Sequence, residues 1–153
     1  MLPMAERRLF AAVTVAHNEG RNMLPKWHAY YSAHVANRDL FVIDHESTDG
    51  STTTLRELGV NIVPLVVHRH QPEAAKRGAV ESLLSQLLDA NNNSFFATYR
   101  VVIVGDADEL VLADPVAYPG GLREFASMYA PHAATPSLHA TPLKDQHSSL
   151  SCV

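Results

Sequence analysis

The chain alternates short, nearly unbroken apolar runs with longer stretches in which apolar residues recur every three or four positions. Leu9 to Ala16, LFAAVTVA, is a run of strand length that does not alternate with polar residues, so both of its faces are expected to be buried. After the polar HNEGRN, the segment MLPKWHAYYSAHVA sets Leu24, Trp27, Tyr31 and Val35 at helical spacing. The unit then repeats. Asp39 to Asp44, DLFVID, predicts a second strand, HESTDGS a turn, and Ser51 or Thr52 the cap of a helix through Leu58. Asn61 to Val67, NIVPLVV, predicts a third strand whose Pro64 points to an edge position or a strand entry. From Glu73 to Leu88, the residues Ala75, Ala79, Val80, Leu83, Leu84, Leu87 and Leu88 form a helical stripe that NNNS ends. Tyr99 to Val104 is a fourth strand, and LREFASMYA predicts a short helix beyond it.

Strands separated by helices imply an α/β fold with a doubly wound, mostly parallel sheet, because parallel strands need crossovers and the crossovers cover the faces. Ligands of such sheets bind beyond the carboxyl ends of the strands. HNEG, DHES and GDADE all emerge at that edge. The expected domain spans residues 9–130. Residues 131–153, rich in Pro, Ser, Thr and His without clear period, read as an irregular or disordered tail, in which His132, His139 and His147 are loop residues rather than ligands.

Composition narrows the classes. A chain of 153 residues with 46% hydrophobic and 18% charged residues suits one soluble globular domain. Its 12 Lys and Arg against 16 Asp and Glu argue against a nucleic-acid-binding face. The single cysteine, Cys152, excludes an internal disulfide framework and fits a reducing compartment. With no apolar stretch near the roughly 20 residues of a membrane span, the expectation is a cytoplasmic protein whose contact with membranes is at most peripheral.

The candidate chemistry lies where the fourth strand ends. VVIVGDADELVL runs an apolar segment into Asp106, Asp108 and Glu109. Carboxylates so close raise one another's pKa unless solvent or a cation relieves them, so the cluster is either a solvated acidic turn or a site for a divalent metal. Nothing matches a G-x-S-x-G elbow, a dinucleotide G-x-G-x-x-G or a Walker A loop. Trp27 and Tyr31 share the face of Leu24 and are expected to pack on the sheet. His17, His28 and His34 are expected to be packed or exposed, and Lys76 and Arg77 to be surface charges of their helix.

Three segments in order, VTVAHNEGRNMLPKWHAYYSAH, LFVIDHESTDGSTTTL and VVIVGDADELVL, resemble the nucleotide-sugar-binding half of family 2-like glycosyltransferases with the GT-A fold, over roughly residues 9 to 114. The resemblance implies a Rossmann-like nucleotide-binding domain, a nucleotide-diphosphate sugar as donor, and a divalent Mn²⁺ or Mg²⁺ ion that stabilises the departing diphosphate. It makes Asp108 the metal ligand and has Asp106 reach the ribose or the ion, with Glu109 in a supporting role. It sets Asp44 to accept hydrogen bonds from the base or ribose, although by itself Asp44 reads equally as a turn aspartate bonding local backbone. Asn18 and Glu19 match the family's N-E pair and would line the nucleotide pocket, although by themselves they also read as ending the strand and capping the next helix. Asp49 and Gly50 are architectural, the glycine permitting a positive φ and the acid favouring a helix N-terminus. Arg77, with Lys76, stands near a place where relatives put a basic residue toward the diphosphate, although both read more simply as surface charges of their helix. His45 and Glu46 depart from the commoner pattern of a second acid and a small residue, which leaves the base unassigned.

The acceptor, too, has no assigned residues. In the resembled family the general base lies well beyond the D-x-D, whereas the carboxylates after Glu109 are Asp114, Glu124 and Asp145, none in an acceptor motif. The sequence therefore reads as the donor half of a transferase, cut short or completed by a partner chain, with its catalytic residues unassigned. One alternative is a noncatalytic nucleotide-sugar-binding module. Another is a haloacid-dehalogenase-like phosphatase with Asp106 as nucleophile and Asp108 as general acid, for which about 45 residues remain downstream, too few for the further motifs it needs.

Overall fold

The structure, a computed structural model, describes residues 8–65, 72–88, 98–129 and 150–152. The element order is β1 (Arg8–Ala16), α1 (Met23–Ser32), a 3₁₀ turn (Asn37–Asp39), β2 (Leu40–Asp44), α2 (Ser51–Glu57), β3 (Asn61–Pro64), α3 (Pro72–Leu87), β4 (Tyr99–Val104), β5 (Val111–Ala113), α4 (Gly121–Tyr129) and β6 (Leu150–Cys152). Strands β1 to β4 form one sheet in the order β3-β2-β1-β4, and every pairing in it is parallel. The fold is thus α/β with a four-stranded parallel sheet.

The two faces of β1 show why its sequence is apolar without alternation. Phe10, Ala12 and Ala16 pack with Leu24, Trp27 and Tyr31 of α1, Leu55 of α2, and Leu122, Phe125 and Ala126 of α4. Ala11 and Val13 turn the other way, joining Phe41 and Ile43 of β2 and Leu83 and Leu87 of α3. Strand pleating sends successive side chains to opposite faces, so a strand covered on both sides is apolar at nearly every position; in β1 the exception within the buried run is Thr14. The helical stripe read from Ala75 to Leu87 is the face of α3 against the sheet. Trp27 and Tyr31 are each 1% exposed, in the packing role expected of them.

Pro64 closes β3 at the sheet's edge, where its missing N–H costs no ladder bond. Val66 and Val67, expected in the same strand, lie outside the described residues. The cap expected from Ser51 or Thr52 differs. Ser51 is the first residue of α2, and Gly50 occupies the cap position with φ +81° and no side-chain cap bond. Asp49 takes that part: its Oδ1 accepts the Ser51 N–H at 3.0 Å and the Ser51 hydroxyl at 2.5 Å. Residues 150–152, read from sequence as part of an irregular tail, form β6 antiparallel to β5, with Val111 opposite Cys152.

At the amino edge of the sheet, the Tyr99 hydroxyl donates to Asp39 Oδ1 at 2.9 Å, and Arg8 pairs with the same oxygen. Burial, with the Asp39 carboxylate adding to it, pushes the Tyr99 phenol up. This cluster joins β1, the turn before β2, and β4. It leaves the carboxyl edge to the loops.

Candidate functional site

In the order β3-β2-β1-β4 the chain steps outward from β1 to β2 to β3 and then returns to the far side of β1. The connection leaving β1 runs to β2 on one side and the one arriving from β3 crosses to β4 on the other, so the order of winding reverses between β1 and β4, where a crevice is expected at the carboxyl ends. Register sets the two tips side by side. Val13 pairs with Val104, and Gly105 N–H donates to the Val13 carbonyl at 3.2 Å, so residues 106–108 turn over the end of β1.

A cavity of about 500 Å³ lies there. From β1 and its loop come Ala16, His17 and Glu19; from β2, His45; from the turn after β4, Asp106, Ala107 and Asp108. Met23 of α1 and Glu73, Lys76, Arg77 and Val80 of α3 complete it. Its volume is in the range of small-molecule sites. Four carboxylates (Glu19, Glu73, Asp106 and Asp108) share the lining with two cations, and one of those cations, Lys76, pairs with Glu73 at 3.1 Å.

The β4 turn is built to hold its acids outward. Glu109 N–H donates to the Asp106 carbonyl at 3.0 Å, Ala107 is buried, and Asp106 and Asp108 on either side of it are exposed. Among the described residues no group of three or more His, Cys, Asp or Glu side chains is arranged to hold a metal ion. A cation here would take one or two protein carboxylates and draw its remaining ligands from a bound anion and water, the usual habit of Mg²⁺ beside phosphates.

Asn18 and Asp44 sit at the same edge but have other work. Asn18, at φ +56°, donates its N–H to Ser47 Oγ at 3.1 Å and accepts the Thr48 N–H on Oδ1 at 2.8 Å, tying the loop after β1 to the loop after β2. Asp44 Oδ1 accepts the Ser47 N–H at 2.9 Å and Oδ2 accepts the Thr52 hydroxyl at 3.3 Å. Neither side chain lines the cavity. Of the residues singled out in sequence, Glu19, Asp106 and Asp108 meet in the cavity, and Asn18 and Asp44 shape its rim.

Sequence reasoning assigned no site role of their own to five polar lining residues, Glu73 among them. Lys76 and Arg77 read first as surface charges and only through the resemblance as partners of a diphosphate, His17 reads as packed or exposed, and His45 only as a departure from pattern. The available signal was topological: a helix crossing over between β3 and β4 brings its first turns to the carboxyl edge. Gly20 holds the two loops in close approach. Its N–H donates to Asp49 Oδ2 at 2.9 Å, and a Cβ there would lie 2.4 Å from Ser51 Cβ. The hydroxyl and then the N–H of Ser51 hold the Asp49 carboxyl below the usual carboxylate range.

Protein-family models, curated proteins and solved structures, each compared with the chain, give no match. No helix among the described residues is long and apolar enough to cross a membrane.

Proposed function

We propose that the cavity binds a nucleotide-diphosphate sugar through a divalent cation, and that the chain is the donor-binding part of a family 2-like glycosyltransferase acting on an acceptor of unassigned class. The observation that carries this reading is the charge balance of the cavity wall. Four carboxylates against two cations would repel a diphosphate alone, whereas a Mn²⁺ or Mg²⁺ ion between them reverses the local sign. The resemblance of the three motifs and the position at the β1–β4 crevice support the same reading, as does a parallel sheet with an apolar cluster on each face.

The residues present fit such an ion. Asp108 would hold it and Asp106 would share it or reach the ribose, with the diphosphate supplying further oxygen ligands. When bound, the cation acts as a Lewis acid toward charge developing on the leaving diphosphate. Arg77 and Lys76, on the opposite wall, would bind the remaining phosphate oxygens. Glu109, behind the turn, supports it.

Calorimetric titration with uridine and guanosine diphosphate sugars in Mn²⁺ tests the proposal. Binding that requires the metal, and that Asp108→Ala weakens about tenfold or more, is the expected result; no heat with any nucleotide sugar would refute it. Binding with no transfer to any acceptor offered would identify a noncatalytic module. Hydrolysis of an aryl phosphate, lost in Asp106→Ala, would identify a phosphatase instead.

A further inference from the structure

The cavity changes character from one end to the other. Across the sheet from β4 to β2, the strand tips carry first Asp106 and Asp108 and then two imidazoles, His17 after β1, on the same loop as Glu19, and His45 after β2; the two ring centroids are 5.2 Å apart and the rings are tilted by 47°. His17 has both nitrogens engaged. Its Nδ1 lies 2.5 Å from the His45 carbonyl oxygen, which can only accept, so Nδ1 carries a proton. Asn18 Oδ1 is turned to the Thr48 N–H, so the Asn18 amide nitrogen is what faces His17 Nε2 at 3.3 Å, and Nε2 accepts. The ring is thereby fixed in tautomer and orientation, with its face and edge carbons left for contact.

The His45 ring is the complement. Its nitrogens make no hydrogen bond to any of the described residues, and the side chain is half-buried in the cavity wall. Asp44, the residue expected to receive a base or ribose, has both oxygens engaged by Ser47 and Thr52 and lies off the cavity. Strands β2 and β4 flank β1, so their tips are two strand spacings apart, roughly 10 Å. A ribose fits between a group bound at one end and a diphosphate held at the other.

We propose that His17 and His45 form the nucleobase subsite, with His45 offering a ring nitrogen to the polar edge of the base and His17 a fixed ring for its face to pack against. The base would then be selected by His45, in place of Asp44. This rests on the reading of the cavity as a nucleoside diphosphate site, and the experiment separates the two.

The full chain is titrated in Mn²⁺ with uridine diphosphate, guanosine diphosphate and inorganic pyrophosphate, as wild type and as His45→Ala and His45→Phe. The phenylalanine keeps the ring and removes its nitrogens, and thermal unfolding checks that both variants fold. Expected is a loss of about tenfold or more for the preferred nucleotide in both variants, with pyrophosphate binding changed by less than about twofold. Nucleotide binding unaltered in both variants, or lost in step with pyrophosphate, overturns the subsite while leaving the donor site standing. Wild-type protein that binds none of the three overturns both.

Discussion

At the scale of single residues, the carboxyl edge is held by Gly20 and Asp49. With Ser51 Cβ 2.4 Å and Asp49 Oδ2 2.8 Å from where a methyl would stand, Gly20→Ala must push the loop after β1 off the start of α2. Its expected cost is about 1–3 kcal/mol in urea unfolding, the usual penalty of overpacking. Glu19 and His17 ride on that loop, so the variant should also weaken any ligand of the cavity. Asp49 supplies a pH dependence whose sign is fixed. Its folded pKa is depressed, so the folded state binds its proton less readily than the unfolded chain. The stabilisation is complete above about pH 5 and lost as the pH falls through about 4, the unperturbed aspartate value, and below. Urea midpoints at pH 7 and pH 3 should differ less in Asp49→Asn than in the wild type.

At the scale of elements, α1 is the helix whose packing has the sharpest test. Leu24, Trp27 and Tyr31 are each 1% exposed against the sheet, and Trp27→Ala is expected to cost about 3–5 kcal/mol, read from thermal or urea unfolding. That face was legible in the sequence because burial of one side of a helix leaves a period, and so were β1 and β2, because burial on both sides erases one. Pro64 announced an edge because proline cannot donate to a ladder. What periodicity does not encode is the direction of side chains past the last ladder bond. Asp44 bends to its own turn, and His45, one residue on, enters the cavity; no spacing rule separates the two. The cap of α2 was misread for a related reason, since Gly50 at φ +81° hands the capping to Asp49, one residue earlier than a Ser or Thr cap would sit. The β5–β6 ladder is three residues long on each side, too short for an alternation to stand out, and β6 falls in a segment whose composition reads as irregular.

At the scale of the molecule, the sheet order predicts where stability is concentrated. β1 is paired on both sides, while β3 is an edge strand of four residues. Amide hydrogen exchange should therefore be slowest in β1 and β2, and faster in β3 and the β5–β6 ladder, where opening breaks fewer buried contacts. Comparable protection in β3 and β1 would contradict this. The parallel sheet and the meeting of three loops at one edge were readable from the repeating strand–helix pattern. The order of strands was not, because hydropathy marks a strand as buried on both faces without saying which strands lie beside it.

That order also sets a sequence of events during synthesis. Neighbours across the β1–β4 seam are far apart in the chain, as Arg8 and Tyr99 are at 91 residues, and such contacts form late because a long loop must first be closed. A nascent chain can lay β1, β2 and β3 together, imidazoles included, well before the acidic turn has been translated. Whatever molecule spans the finished crevice would thus hold the last-arriving strand in its berth, and would stabilise the completed sheet in proportion to how tightly it binds.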